Sequence, residues 1–131
     1  MSLNDPLANV LSHVYNYEKL GKKELVTDNN SKVIKEVLRI MQEEGFIGSY
    51  EEIDHGKGGK ALKIHLIGSL NKCGAVKPRF RVKVSDYEKF EKRYLPAMDF
   101  GVLIVSTSKG IKTNTQAKKE NIGGTLISYA Y

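Results

Sequence analysis

The chain holds no tryptophan, one cysteine, three prolines and three histidines in 131 residues. A single thiol, Cys73, excludes an internal disulfide and any zinc site built on several cysteines. His13, His55 and His65 share no ligand-type spacing, so no metal site is expected. No apolar run approaches the ~18 residues of a membrane span, so no membrane association is expected. The opening residues, MSLNDPLANV, lack the basic start and apolar stretch of a secretory leader. Disorder is excluded as the main state, because 40% hydrophobic and 27% charged residues are ordinary globular values. A chain of this size forms one domain or two very small ones and buries roughly two-thirds of its unfolded surface.

What is present in excess is positive charge, and it is unevenly placed. The net charge is +6. Up to Leu70, nine basic residues meet ten acids, for a net of −1; beyond it, twelve basic residues meet five acids, for a net of +7. Lys72, Lys77, Arg79, Arg81 and Lys83 follow one another with no acid between them. Such asymmetry fits a nucleic-acid partner, and equally a solvated face that keeps the chain soluble.

Periodicity gives the order of elements. Asn4-Asp5-Pro6 starts a helix whose stripe is Leu7, Val10, Leu11 and Val14. Glu24 to Thr27 is a short strand. Ser31 caps a second helix with the stripe Ile34, Val37, Leu38 and Met41, closed by Gly45. Phe46 to Ile53 and Leu62 to Leu66 are strands joined by a turn at Gly56–Gly59. Residues 68–78 have no period and read as a connection. Phe80, Val82 and Val84 alternate with Arg79, Arg81 and Lys83, a strand with one apolar and one basic face. Ser85 and Glu88 suggest a capping box ahead of a helix carrying Tyr87, Phe90 and Tyr94, stopped by Pro96. Phe100 to Val105 is apolar enough to be buried on both faces. Ser106 to Gly110 is a loop, Thr113 and Gln116 cap a short helix, and Thr125 to Tyr131 is a terminal strand. The expectation is an α+β protein of two small domains: α-β-α-β-β over residues 1–70, then β-α-β-α-β over residues 71–131.

Catalytic patterns are missing. Gly56 to Ala61 spells G-x-G-x-x-A, yet a strand follows it where a phosphate-binding fingerprint needs a helix. Lys60-Ala61 lacks the hydroxyl of a P-loop. There is no G-x-S-x-G elbow, and Cys73 has no base nearby in sequence. No catalytic residue, cofactor or small-molecule substrate is expected.

Two features carry the functional reading. Ser106-Thr107-Ser108-Lys109-Gly110 leaves a buried strand with three hydroxyls, a cation and a glycine. Hydroxyls donate and accept, which suits base edges and ribose 2′-OH groups in the shallow groove of an RNA helix. They can also serve only their own backbone. Gly123-Gly124 is either a helix-closing turn or a place of close backbone approach. If the strands beside these segments pair antiparallel, both segments share one edge of a sheet. A rival reading is a protein-binding adaptor that uses the Tyr87, Phe90, Tyr94 helix or the terminal strand.

Taken together, GVLIVSTSKG at 101–110 with Thr113, Ala117, Lys118, Gly123 and Gly124 closely resembles the C-terminal signature of the S-eight family of small-subunit ribosomal proteins. Asp5-Pro6-Leu7-Ala8 with Leu11, Ser31-Lys32 and Glu44-Gly45-Phe46-Ile47 resemble its N-terminal part. Asn71 to Phe80 resembles the archaeal and eukaryotic version. The resemblance implies two small α+β domains, no enzyme activity and no cofactor. It implies a cytoplasmic protein of the small ribosomal subunit with neighbouring ribosomal proteins as partners. Its RNA target would be a helix of the rRNA central domain, bound early in assembly. The implied contacts are Ser106, Thr107 and Ser108, then Gly123 and Gly124, and more weakly Ser31 and Lys32. Gly110 and Thr125 are expected to extend that surface, and Arg79, Arg81 and Lys83, with Lys109 and Lys112, to add phosphate attraction. Many bacterial relatives carry glutamate where this chain has Thr125, and end in tryptophan where it has Tyr131.

Overall fold

The computed structural model describes residues 6–28, 30–54, 60–77, 79–97 and 100–131. The expected cap at Asn4-Asp5, His55 and the turn at Gly56–Gly59 lie outside them. The chain divides into two compact units, Met1–Cys73 and Gly74–Tyr131, with the division three residues beyond the boundary expected from sequence.

The first unit is built from α1 (Pro6–Lys19), β1 (Glu24–Thr27), α2 (Lys32–Glu43), β2 (Ser49–Asp54) and β3 (Lys60–His65). Both helices form where the apolar spacing predicts them. The stripe of α1, Leu7, Val10, Leu11 and Val14, is buried, as are Ile34, Val37, Leu38 and Met41 of α2. Ser31 starts α2 because its Oγ accepts the Ile34 N–H at 3.2 Å. Gly45 ends it at φ +82, a conformation that costs glycine nothing, and lets the Phe46 N–H reach the Met41 carbonyl at 2.8 Å. The sheet order is β1-β3-β2, antiparallel throughout, with Ala61, Leu62 and Ile64 of the central strand fully buried.

Beyond β4 (Cys73–Ala75), whose first residue closes the first unit, the second unit holds β5 (Arg81–Val82), a 3₁₀ turn (Val84–Asp86), α3 (Tyr87–Tyr94), β6 (Val102–Thr107), β7 (Gly110–Thr113), α4 (Asn114–Lys119) and β8 (Gly124–Ala130). Its sheet runs β4-β8-β6-β7, with β5 also on β8. Val82, Tyr87, Phe90, Leu103, Val105, Ala117 and Leu126 make one core. Burying the Tyr87 ring contributes about 2–3 kcal/mol, and its hydroxyl donates to the Ile122 carbonyl at 2.9 Å. Thr113 caps α4 as expected, accepting the Gln116 N–H at 3.1 Å.

The fold is α+β as expected, with two strands more than the sequence order contains. β4 lies inside the stretch read as a connection. Its Cys-Gly-Ala has no period, and only pairing with distant β8 makes it a strand. β7 begins at Gly110, inside and beyond the expected loop. The strand expected over Phe80–Val84 shrinks to Arg81–Val82, because the Lys83 N–H donates to Asp86 Oδ2 at 3.0 Å and turns the chain. That bond replaces the expected Ser85–Glu88 capping box. Phe100 stands 47% exposed, outside the buried strand that begins at Val102.

Candidate nucleic-acid interface

β6 and β8 pair antiparallel, so the end of one meets the start of the other. Ser106 faces Thr125 across that ladder, and Thr125 faces Arg81 of β5 on its other side. Cross-strand partners point to the same face. Arg81, Thr125 and Ser106 therefore form a row over three strands, while the neighbouring Val82 and Val105 turn into the core.

Gly123 and Gly124 make this row possible. A Cβ on Gly123 would overlap the Val82 carbonyl oxygen, and one on Gly124 would overlap that of Ser106. The glycines thus admit β8 between β5 and β6. The helix-closing role expected of them falls to Asn121, which takes the left-handed conformation at φ 58.

The hydroxyl segment is a hairpin rather than a loop. Ser106 and Thr107 end β6, Ser108-Lys109 is a two-residue turn, and Gly110 pairs with Thr107. Thr107 is spent on the turn itself: its Oγ1 accepts the Lys109 N–H at 3.1 Å and donates to the Gly110 carbonyl at 2.6 Å. The backbone-serving reading holds for Thr107 alone. Ser106 and Ser108 are exposed, and among the described residues their hydroxyls have no partner.

These residues enclose an open groove of about 620 Å³ lined by Arg81, Val82, Lys83, Val84, Ser106, Ser108, Gly123, Gly124 and Thr125. Its rim carries two cations and three hydroxyls, and Val82 and Val84 give it an apolar part; no carboxylate lines it. Among the described residues neither Arg81 nor Lys83 pairs with a carboxylate. Lys83, expected as a source of phosphate attraction, lines the groove; Val84 was missing from the expected site, because the turn after β5 that brings it in leaves no periodic signal. Lys112, read from sequence as a further source of phosphate attraction, is instead paired with Glu120 at 2.8 Å. Lys118 is likewise held by Glu91 at 2.6 Å.

The remaining expected residues do not line the groove. Lys109 and Gly110 belong to the hairpin tip beside it, and Arg79 precedes β5. Ser31 and Lys32 are in the first unit, where Ser31 Oγ is occupied as the α2 cap.

The groove offers hydrogen bonds and positive charge but no nucleophile with a base. Burial first, and Glu18 second, push the Cys73 thiol up to about 12, so it stays protonated and inert. Among the described residues no group of three or more histidine, cysteine or acidic side chains could hold a metal ion. No helix among them is long and apolar enough to cross a membrane. Of the surfaces the adaptor reading would use, Tyr94 is half-buried against the core. Tyr87 and Phe90 are 0% and 5% exposed in the core, and β8 is paired along both edges, by β6 and by β4 and β5.

A groove of hydroxyls, cations and close-packed backbone can offer hydrogen bonds and positive charge to a polyanion with hydroxyls of its own. The family model described as Ribosomal protein S8 matches residues 5–131, nearly the whole chain, so the chain belongs to that family of structural, rRNA-binding proteins of the small ribosomal subunit.

Proposed function

We propose that the chain binds a helix of the small-subunit rRNA central domain directly and supports its assembly, with the groove of the second unit as the principal contact. One observation carries this: Arg81, Thr125 and Ser106 line up across three strands beside Ser108, with both serine hydroxyls unpartnered among the described residues and no carboxylate lining the groove. Ser106 and Ser108 supply donors and acceptors to ribose 2′-OH groups and base edges. Arg81, Lys83 and Lys109 supply attraction to phosphates, and Arg79 adds to that field. Gly123 and Gly124 act through the strand packing they permit, and Thr125 stands in the row where a carboxylate would repel phosphate. Ser31 and Lys32 make a secondary contact through the exposed start of α2. The stretch from Asn71 to Phe80 supports an archaeal or eukaryotic type of member. Residues 71–131 form the RNA-binding domain, residues 1–70 the other, and neighbouring ribosomal proteins complete the surroundings.

The test is filter binding of the purified chain to a transcript of the central domain. Alanine at both Ser106 and Ser108 weakens binding by about 1–3 kcal/mol, because RNA donors and acceptors lose partners. Neutralising Arg81 and Lys83 lowers the salt dependence by about two ions while the preference among RNA sequences stays. Wild-type affinity in the double serine variant would refute the groove as the contact.

A further inference from the structure

We infer that Ser108 is a phosphorylation site, and that a phosphoryl group there occupies the groove's own cations and shuts it to RNA. This rests on the groove being the RNA contact. Four hydroxyls lie at or beside the groove, and the geometry separates them. Thr107 is locked between the Lys109 N–H and the Gly110 carbonyl. Ser106 and Thr125 sit in paired strands, Ser106 between Ile111 and Thr125, Thr125 between Ser106 and Arg81. A kinase takes its substrate as an extended segment; extending the chain at Ser106 or Thr125 opens the central β6–β8 ladder at their own pair, whereas extending it at Ser108 opens first the terminal Thr107–Gly110 pair of the β6–β7 hairpin. Ser108 is the first residue of a two-residue turn, is exposed, has no partner for its hydroxyl among the described residues, and still lines the groove.

The step is an ordinary phosphoryl transfer from a nucleoside triphosphate held by a protein kinase. Ser108 Oγ forms a bond to the terminal phosphorus, and the bond from that phosphorus to the bridging oxygen breaks. The nucleoside diphosphate leaves, and the hydroxyl proton passes to the kinase's base. The product carries up to two negative charges and three strong acceptor oxygens. Arg81 and Lys83 line the same groove without carboxylate partners among the described residues, and Lys109 is the next residue along the chain. Intramolecular pairing with these cations removes the charges that would meet RNA phosphates, and the chain's net charge falls from +6 to about +4.

The test uses the full chain with phosphoserine installed at position 108, or at exposed Ser69 as a control of equal charge outside the groove. Without RNA, the ³¹P titration of the group at 108 should lie below that at 69 and return toward it in Arg81→Ala and Lys83→Ala backgrounds. Coincident titrations overturn the closure. Against the central-domain transcript, phosphate at 108 should weaken binding about tenfold or more and lower the salt dependence, beyond any effect at 69. Equal effects at both positions overturn the switch. Failure of the unmodified chain to bind the transcript would instead refute the RNA reading, since the ³¹P comparison is made without RNA. Treatment of the intact chain with ATP and a kinase that prefers basic substrates should label Ser108 ahead of Ser106; the reverse order overturns the assignment.

Discussion

Replacing Gly124 with alanine tests the idea that the glycine pair serves strand packing. The new Cβ would overlap the Ser106 carbonyl oxygen and stand 3.0 Å from both the Ser106 carbonyl carbon and Val105 Cγ1. Backbone cannot swing aside as a lysine tip does, so β8 must move off β6 at the Ser106–Thr125 pair. Overfilling of this kind costs about 1–3 kcal/mol. The ladder bonds loosened there contribute about 0.5–1.5 kcal/mol each. The expected loss is therefore about 2–4 kcal/mol, a large share of the roughly 5–15 kcal/mol that holds a domain. With no tryptophan to report, urea unfolding followed by far-ultraviolet circular dichroism is the assay. The midpoint should fall by about 1–2 M. Thr125→Ala is the matched control: the next residue on the same strand, facing the groove and not the core. It should stay within about 0.5 kcal/mol of wild type while weakening RNA binding. A Gly124→Ala midpoint within about 0.3 M of wild type would refute the packing role.

Other expectations follow from buried groups. Burial holds the Glu18 carboxyl above its ordinary value, against hydrogen bonds from the Gly68 and Leu70 backbone that pull it down. The folded state thus holds this proton more tightly than the unfolded state. Its contribution is fully present below about pH 4.5 and fades as pH rises through the folded value. Glu18→Gln should remove that part of the pH dependence in urea midpoints measured from pH 3.5 to 7; an unchanged profile contradicts the burial effect. Cys73 donates from Sγ to the Leu11 carbonyl at 3.4 Å and titrates near 12. Iodoacetamide at pH 8 should label it only in denaturant, and labelling of the native chain at a free thiol's rate would contradict its burial. Ser128 is fully buried, and among the described residues its Oγ has no partner. Ser128→Ala should raise stability by about 1 kcal/mol, and a lowered thermal midpoint would mean the hydroxyl is bonded.

Much of the fold was legible because its signals are local. The stripes of α1 and α2 and the caps at Ser31 and Thr113 depend on residues three or four apart. β4 and β7 were invisible because their three and four residues become strands only through partners elsewhere in the chain. The basic strand misled for a related reason. Its alternation predicts one straight face over Phe80–Val84, and a single bond between the Lys83 N–H and the Asp86 carboxylate bends it after Val82. The same bend carries Lys83 and Val84 into the groove.

The sequence by itself determined the α+β class, the excess of positive charge after residue 70 and, through the spacing from Gly101 to Gly124, the family. These are properties of residue type and short-range order. Tertiary structure decided what each candidate residue does. It retired Thr107 to its own turn, tied Lys112 to Glu120, and buried Tyr87 and Phe90 in the core. It also brought Ser106, Thr125 and Arg81 into one row. That row spans residues 81 to 125, and only the antiparallel register of β5, β8 and β6, admitted by two glycines without a Cβ, closes so long a separation.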